Sequence, residues 1–199
     1  MFLNKTKFKR LVKEAWNADT LKVGCIYDGV VVCGGKWIVW VDGEYMPNWA
    51  KAILIEFIGE MPEYGTFWTY GKRYDKAPQQ NLEINQYLDL PYLFRQAKVA
   101  YVVTPIVFWS RWFQIRLIQH RESGEFIALD EDLYSLIDLS QMEADEAAPV
   151  GAAAISKGSG ALYWKNDVCA LCLITMDGVD DCVKETMKKL EAVDFGGGL

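Results

Sequence analysis

Leu21-Lys-Val-Gly-Cys-Ile-Tyr-Asp-Gly-Val-Val-Val-Cys-Gly-Gly-Lys-Trp-Ile-Val-Trp-Val-Asp-Gly43 sets the fold class of this chain. Three apolar runs, Leu21 to Tyr27, Val30 to Cys33 and Lys36 to Val41, are separated by Asp28-Gly29 and Gly34-Gly35 and closed by Asp42-Gly43. Such dipeptides between β-branched and aromatic runs signal hairpins, because glycine tolerates the positive φ of a tight turn. The segment therefore reads as a three-stranded antiparallel meander.

Upstream lies a basic amphipathic helix, Asn4 to Trp16. Phe8, Leu11, Val12, Ala15 and Trp16 fall on one stripe at helical spacing. Lys5, Lys7, Lys9, Arg10 and Lys13 cover the opposite face against the single Glu14, in a protein whose net charge is −6. The helix is expected to dock on a core and to show its cations to solvent or to a polyanion.

Downstream, Asn48 is expected to cap a second helix, Trp49 to about Ile58, stopped by Gly59 and Pro62, although its Ile53-Leu-Ile55 run also fits a strand. Gly65 to Lys72 reads as a strand and Arg73 to Asn85 as a polar connector. A similar order then follows. Asp89 and Pro91 start a short helix, Tyr92 to Lys98, whose Arg95 and Lys98 are again positive. Strands follow at Ala100 to Trp109, Trp112 to His120 and Phe126 to Leu129. Asp130 caps a helix through Leu139, Gln141 to Val150 is a linker, and Gly151 to Ser156, Ala161 to Lys165 and Val168 to Met176 are strands. Asp180 or Asp181 caps a last helix that uses Val183, Met187 and Leu190, and Phe195 to Leu199 frays. The order suggests an α+β protein of two related helix-plus-meander units, residues 1–75 and 89–199, joined by a connector at 76–88.

Composition bounds the function. With 199 residues, 51% hydrophobic and 24% charged, the chain buries a real core. Eight Trp, ten Tyr and nine Phe favour strands and large packed surfaces. No run reaches the roughly 20 apolar residues of a membrane span, and the N-terminal stretch lacks an apolar signal core. A cytoplasmic protein with no membrane association is expected. Five Cys fit reduced thiols better than a disulfide framework. Cys169-Ala-Leu-Cys172 spells C-x-x-C but lies within a strand, where residues three apart face opposite ways and cannot share a zinc ion. No cofactor or metal is expected.

Phe126-Ile-Ala-Leu-Asp-Glu-Asp-Leu-Tyr-Ser-Leu-Ile-Asp138, followed by a strand pair ending in Ala161-Leu-Tyr-Trp-Lys-Asn-Asp-Val-Cys-Ala-Leu-Cys-Leu-Ile-Thr-Met176, resembles the second half of a DNA sliding-clamp domain. The N-terminal helix and its meander resemble the first half, so the likeness covers about two-thirds of the chain. It implies a clamp-like fold with sheets on one side and helices on the other. It further implies a possible homo-oligomeric ring and helices that carry Lys and Arg toward duplex DNA. The chain departs from that pattern in its final helix and in the apolar character of Trp49 to Ile58.

On that basis the expected function is non-enzymatic: a processivity or scaffolding factor holding duplex DNA through Lys5, Lys7, Lys9, Arg10, Lys13, Arg95 and Lys98. Cations on a rigid face displace counterions from phosphates and give affinity without base readout. The lone His120 reads as structural rather than as a general base. Lys157-Gly-Ser-Gly160 joins two strands and reads as a β-turn, since it lacks the ending of a phosphate loop. Asp130, Glu131, Asp132, Asp138, Glu143, Asp145 and Glu146 read as solvated caps and linker. The competing reading makes this acidic run the interface of a protein-binding module that neutralises a basic partner, as immunity proteins do, with no nucleic-acid role. A continuous basic stripe would favour the first reading and an acidic concavity the second.

Overall fold

The computed structural model describes residues 1–74, 78–109 and 113–196. Its elements are α1 (Lys5–Asn17), β1 (Leu21–Ile26), β2 (Gly29–Cys33), β3 (Trp37–Asp42), α2 (Asn48–Ile58), β4 (Phe67–Tyr70), β5 (Gln79–Gln80), α3 (Leu90–Gln96), β6 (Val99–Trp109), β7 (Gln114–His120), β8 (Phe126–Asp130), α4 (Glu131–Tyr134), β9 (Val150–Ala154), β10 (Ala161–Lys165), β11 (Cys169–Ile174) and α5 (Asp181–Leu190). The strands form one 11-stranded antiparallel sheet in the order β5-β4-β1-β2-β3-β11-β10-β9-β6-β7-β8. The protein is thus α+β, and the sheet runs unbroken from residues of the first expected unit into the second. Trp112, the expected first residue of a strand, and Gly197 to Leu199 lie outside the described residues.

The expected meander is present, but its first turn works differently. Ile26 pairs with Gly29, so the loop is Tyr27-Asp28, and these two residues carry the positive φ values of 54° and 56°. That matches a primed hairpin turn. Gly29 is required for another reason: a Cβ there would lie 2.4 Å from Trp40 Nε1. Its hydrogen in place of a methyl lets the indole cross the strand and donate to the Tyr27 carbonyl at 3.0 Å.

Helices cover both faces of the sheet, which corrects the expectation of helices on one side only. Val30, Val32, Val39 and Val41 pack with Phe8, Leu11 and Val12 of α1 and Ile53 and Leu54 of α2. Val31, Trp40, Tyr163 and Cys172 point the other way, into a second cluster with Leu90 and Leu93 of α3. The cause is in β2, where all five residues are buried. A continuous apolar run such as Val30-Val31-Val32 needs cover on both sides. The C-x-x-C reading holds for the same geometric reason: Cys169 sits in the first cluster and Cys172 in the second. Burial pushes both thiols up, Cys172 to about 12.

Both ends of the sheet's central region have a helix-then-meander path. α1 leads into β1-β2-β3, α4 leads into β9-β10-β11, and the two meanders meet where β3 pairs antiparallel with β11, Leu171 opposite Val39. α4 is much shorter than the expected helix through Leu139. Residues 2–4 take over there: Asn4 N–H donates to the Leu136 carbonyl at 2.7 Å, Asp138 N–H donates to the Phe2 carbonyl at 2.8 Å, and Leu3 bridges Ile137. Backbone groups that would continue the helix are used across the chain instead. The outer hairpin β6–β7 with β8 carries α5, whose Val183 packs on Ile115, Leu117 and Ala128. Phe195, expected to fray, is docked. Its N–H donates to the buried Gln119 side chain at 3.0 Å and its ring contacts Phe126.

Candidate functional site

The basic helix begins at a well-made cap, with Asn4 Oδ1 accepting the Lys7 N–H at 3.0 Å. Its apolar stripe is as read, with Phe8, Leu11, Val12 and Ala15 buried. Phe8 meets Trp37 and Trp49 edge-on, with ring centroids 6.1 and 5.8 Å apart. The cations, however, are largely engaged. Lys7 Nζ lies 2.9 Å from Asp132, Arg10 binds the same carboxylate and lies 3.5 Å from Glu14, and Lys9 Nζ lies 2.7 Å from Glu56. Lys5 and Lys13 are exposed and make no ion pair among the described residues.

Charge coupling follows from this geometry. The hydrogen bond to Asp132 raises the Arg10 guanidinium above its ordinary value against the opposing effect of burial. For Asp132, burial pushes the carboxyl up, but the hydrogen bonds from Lys7 and Arg10 outweigh it and hold it below the usual carboxylate range. Two cations on one carboxylate tie α1 to the start of α4.

Arg95 and Lys98 do not join this set. They belong to α3 and the residues just after it, on the opposite face of the sheet from α1, and Arg95 stacks over Tyr92 at 5.9 Å. The seven residues expected to bind nucleic acid therefore form two separated groups rather than one stripe.

The acidic run is not a merely solvated segment either. Glu131 receives Arg116 Nη2 at 2.6 Å, and that guanidinium also stacks on Tyr134 at 4.6 Å and donates to the Thr104 carbonyl at 2.8 Å. Asp138 binds Ser140 and Asn4, and its carboxyl is held low by Ser140. Glu146 binds the Met1 amine and Asn166. Burial pushes its carboxyl up, yet those bonds win and the net direction is down. Asp130 caps α4 through the Asp132 N–H. Most of this run is thus structural.

What remains acidic is a cleft of about 500 Å³ beside the start of α2, lined by Glu143, Asp145, Glu146 and Asp167 together with Tyr45 and Pro47. Glu143, Asp145 and Asp167 are exposed, and Tyr45 stands 63% exposed at its edge. Met1 also lines it, with its amine on Glu146, and no Lys, Arg or His side chain does so among the described residues. Asp167 and Tyr45 were not legible as site residues, because they reach the cleft from the β10–β11 turn and the loop after β3, far apart in sequence.

His120 is held in a turn, where its Nδ1 accepts the Ser123 N–H at 3.0 Å and lies 2.8 Å from Ser123 Oγ, while its ring meets Tyr101. The Lys157-Gly-Ser-Gly160 segment is the expected turn: Ser159 N–H donates to the Ser156 carbonyl at 3.0 Å, and Lys157 pairs with Glu125. No helix among the described residues is long and apolar enough to cross a membrane. Compared with protein-family models, with curated proteins and with solved structures, the chain has no match in any of the three.

Proposed function

We propose that this chain is a non-enzymatic protein-binding module whose acidic cleft receives a basic surface of a partner. The observation that carries the reading is the contrast in charge: Glu143, Asp145 and Asp167 line one concavity in which the Met1 amine is already held by Glu146 and none of the three acids makes an ion pair among the described residues, whereas α1 has three of its five cations paired and is separated by the sheet from Arg95 and Lys98. An acidic cleft on a protein of net charge −6 steers cationic partners by long-range attraction and repels polyanions. Exposed Tyr45 adds a rigid aromatic contact of the kind that anchors interfaces.

The test is calorimetric titration of the full chain with an arginine-rich peptide at low and moderate salt. The triple variant Glu143→Gln, Asp145→Asn, Asp167→Asn is expected to bind at least about tenfold more weakly, since each tenfold step is about 1.4 kcal/mol. Equal affinity of the variant and the wild type overturns the reading.

A second reading keeps the expectation of a clamp-like scaffold on duplex DNA. It is favoured by exposed Lys5 and Lys13 and by the two helix-meander paths meeting at β3–β11. Under it, the double variant Lys5→Glu, Lys13→Glu reduces duplex retention and lowers the slope of log affinity against log salt by about 2. A homo-oligomeric ring belongs to this second reading alone.

A further inference from the structure

We propose that a separate cavity, at the C-terminal end of α2, binds an organic cation: an ammonium group carrying apolar substituents. The space of about 420 Å³ lies between β4 and the segment leaving α2, with Ile58, Met61, Trp68 and Tyr70 as walls and the exposed Glu60 and Glu63 at its rim. It sits at the opposite end of α2 from the acidic cleft and stands independently of the reading given to that cleft.

Three features make the cavity electronegative. Trp68 and Tyr70 are two residues apart on β4 and so face the same way. Trp68 is only half-buried, and an indole face attracts a cation within about 6 Å of its centroid. Among the described residues, Glu60 and Glu63 make no ion pair and no Lys, Arg or His lines the cavity. The last turn of α2 carries no basic residue, so the negative end of its dipole at Ile58 is uncompensated within the helix. The Tyr70 phenol agrees in direction: burial raises it first, and Cys25 and then Glu60 raise it further.

The walls select the kind of cation. A hydrated metal ion demands several oxygen ligands, and here two carboxylates stand beside the side chains of Ile58, Met61 and Trp68. An alkylated ammonium buries its substituents on Trp68, Met61 and Ile58 while its charge stays beside Glu60 and Glu63. Two sources present this chemistry, a free quaternary ammonium compound and a methylated lysine side chain of another protein.

The test titrates the full chain with choline, with a short neutral peptide carrying one Nε-trimethyl-lysine, and with 3,3-dimethylbutanol, the uncharged isostere of choline. At least one cation is expected to bind with a stoichiometry of one, and the isostere about tenfold more weakly or not at all. Glu60→Gln with Glu63→Gln alters two exposed side chains, leaves the melting temperature unchanged and weakens the cation about tenfold. Tighter binding of the peptide assigns a side-chain source; tighter binding of choline assigns a free compound. Binding of the isostere as strong as that of choline, an unchanged affinity in the double variant, or no binding of either cation overturns the proposal.

Discussion

The two meanders on either side of the β3–β11 seam share a strand order but not their cover. β1-β2-β3 lies under α1, 13 residues long, which buries Phe8, Leu11, Val12 and Ala15. β9-β10-β11 follows α4, which has four residues and buries only Leu133. The shortfall is made up by the chain's first residues: Met1, Phe2 and Leu3 are all buried, and the backbone of residues 2–4 pairs with residues 136–138. One side is covered by a self-contained amphipathic helix, the other by a helix stub completed from a distance. The same backbone plan therefore tolerates two ways of burying one sheet face, and the second couples the chain start to its middle.

That comparison is sharpest where the cover is removed. Phe8→Ala deletes a ring packed between Trp37 and Trp49, and it is expected to cost about 3–5 kcal/mol in urea unfolding. Leu133→Ala, the corresponding truncation on α4, should cost less, about 2–3 kcal/mol, because that stub shares its burial with neighbours. Equal losses would mean that the two halves are covered alike.

Phe2→Ala tests the substitute cover directly. The side chain is fully buried although it lies outside any helix, and its removal should cost about 3–5 kcal/mol. A loss below about 1 kcal/mol would show that the first residues are an ornament on the sheet rather than part of its core.

The smallest effect concerns the link between the halves. Asp132→Asn removes the charge that Lys7 and Arg10 share, and with the pair about two-fifths exposed the cost at neutral pH should not exceed about 1 kcal/mol. The sign follows from the lowered Asp132 carboxyl. Its contribution is present above the ordinary Asp value of about 3.9 and is lost as pH falls through the lower folded value. The gap in stability between wild type and variant should therefore be open at pH 7 and close below about pH 4. A gap that persists at lower pH would assign the loss to packing.

Much of the fold was legible because its signals are local. The α1 stripe, the Asp89 cap on Tyr92 and the strand runs around Val31, Trp40 and Leu171 follow from periodicity and capping chemistry alone, whereas Asn48, expected as a cap, lies inside α2 with Pro47 at the cap position. Cover on both faces was also written in the sequence, as the unbroken run Val30 to Cys33. The length of α4 was not, since what stops it is residues 2–4, more than 120 positions away. The site was legible in the same uneven way. The cations of α1 were visible, but Asp132 and Glu56, which neutralise them, are brought there by tertiary packing. The cleft of Glu143, Asp145 and Asp167 with Tyr45 exists only once three loops converge.

The charge contrast between α1 and the acidic cleft is best tested by light scattering of the full chain at low salt, alone, with excess duplex DNA, and with an arginine-rich peptide fused to a carrier of known mass. A mass increase with the peptide that is lost in Glu143→Gln, Asp145→Asn, Asp167→Asn, and no increase with DNA, is the expected result. A DNA-dependent mass increase abolished by Lys5→Glu, Lys13→Glu, with no response to the peptide, would contradict it.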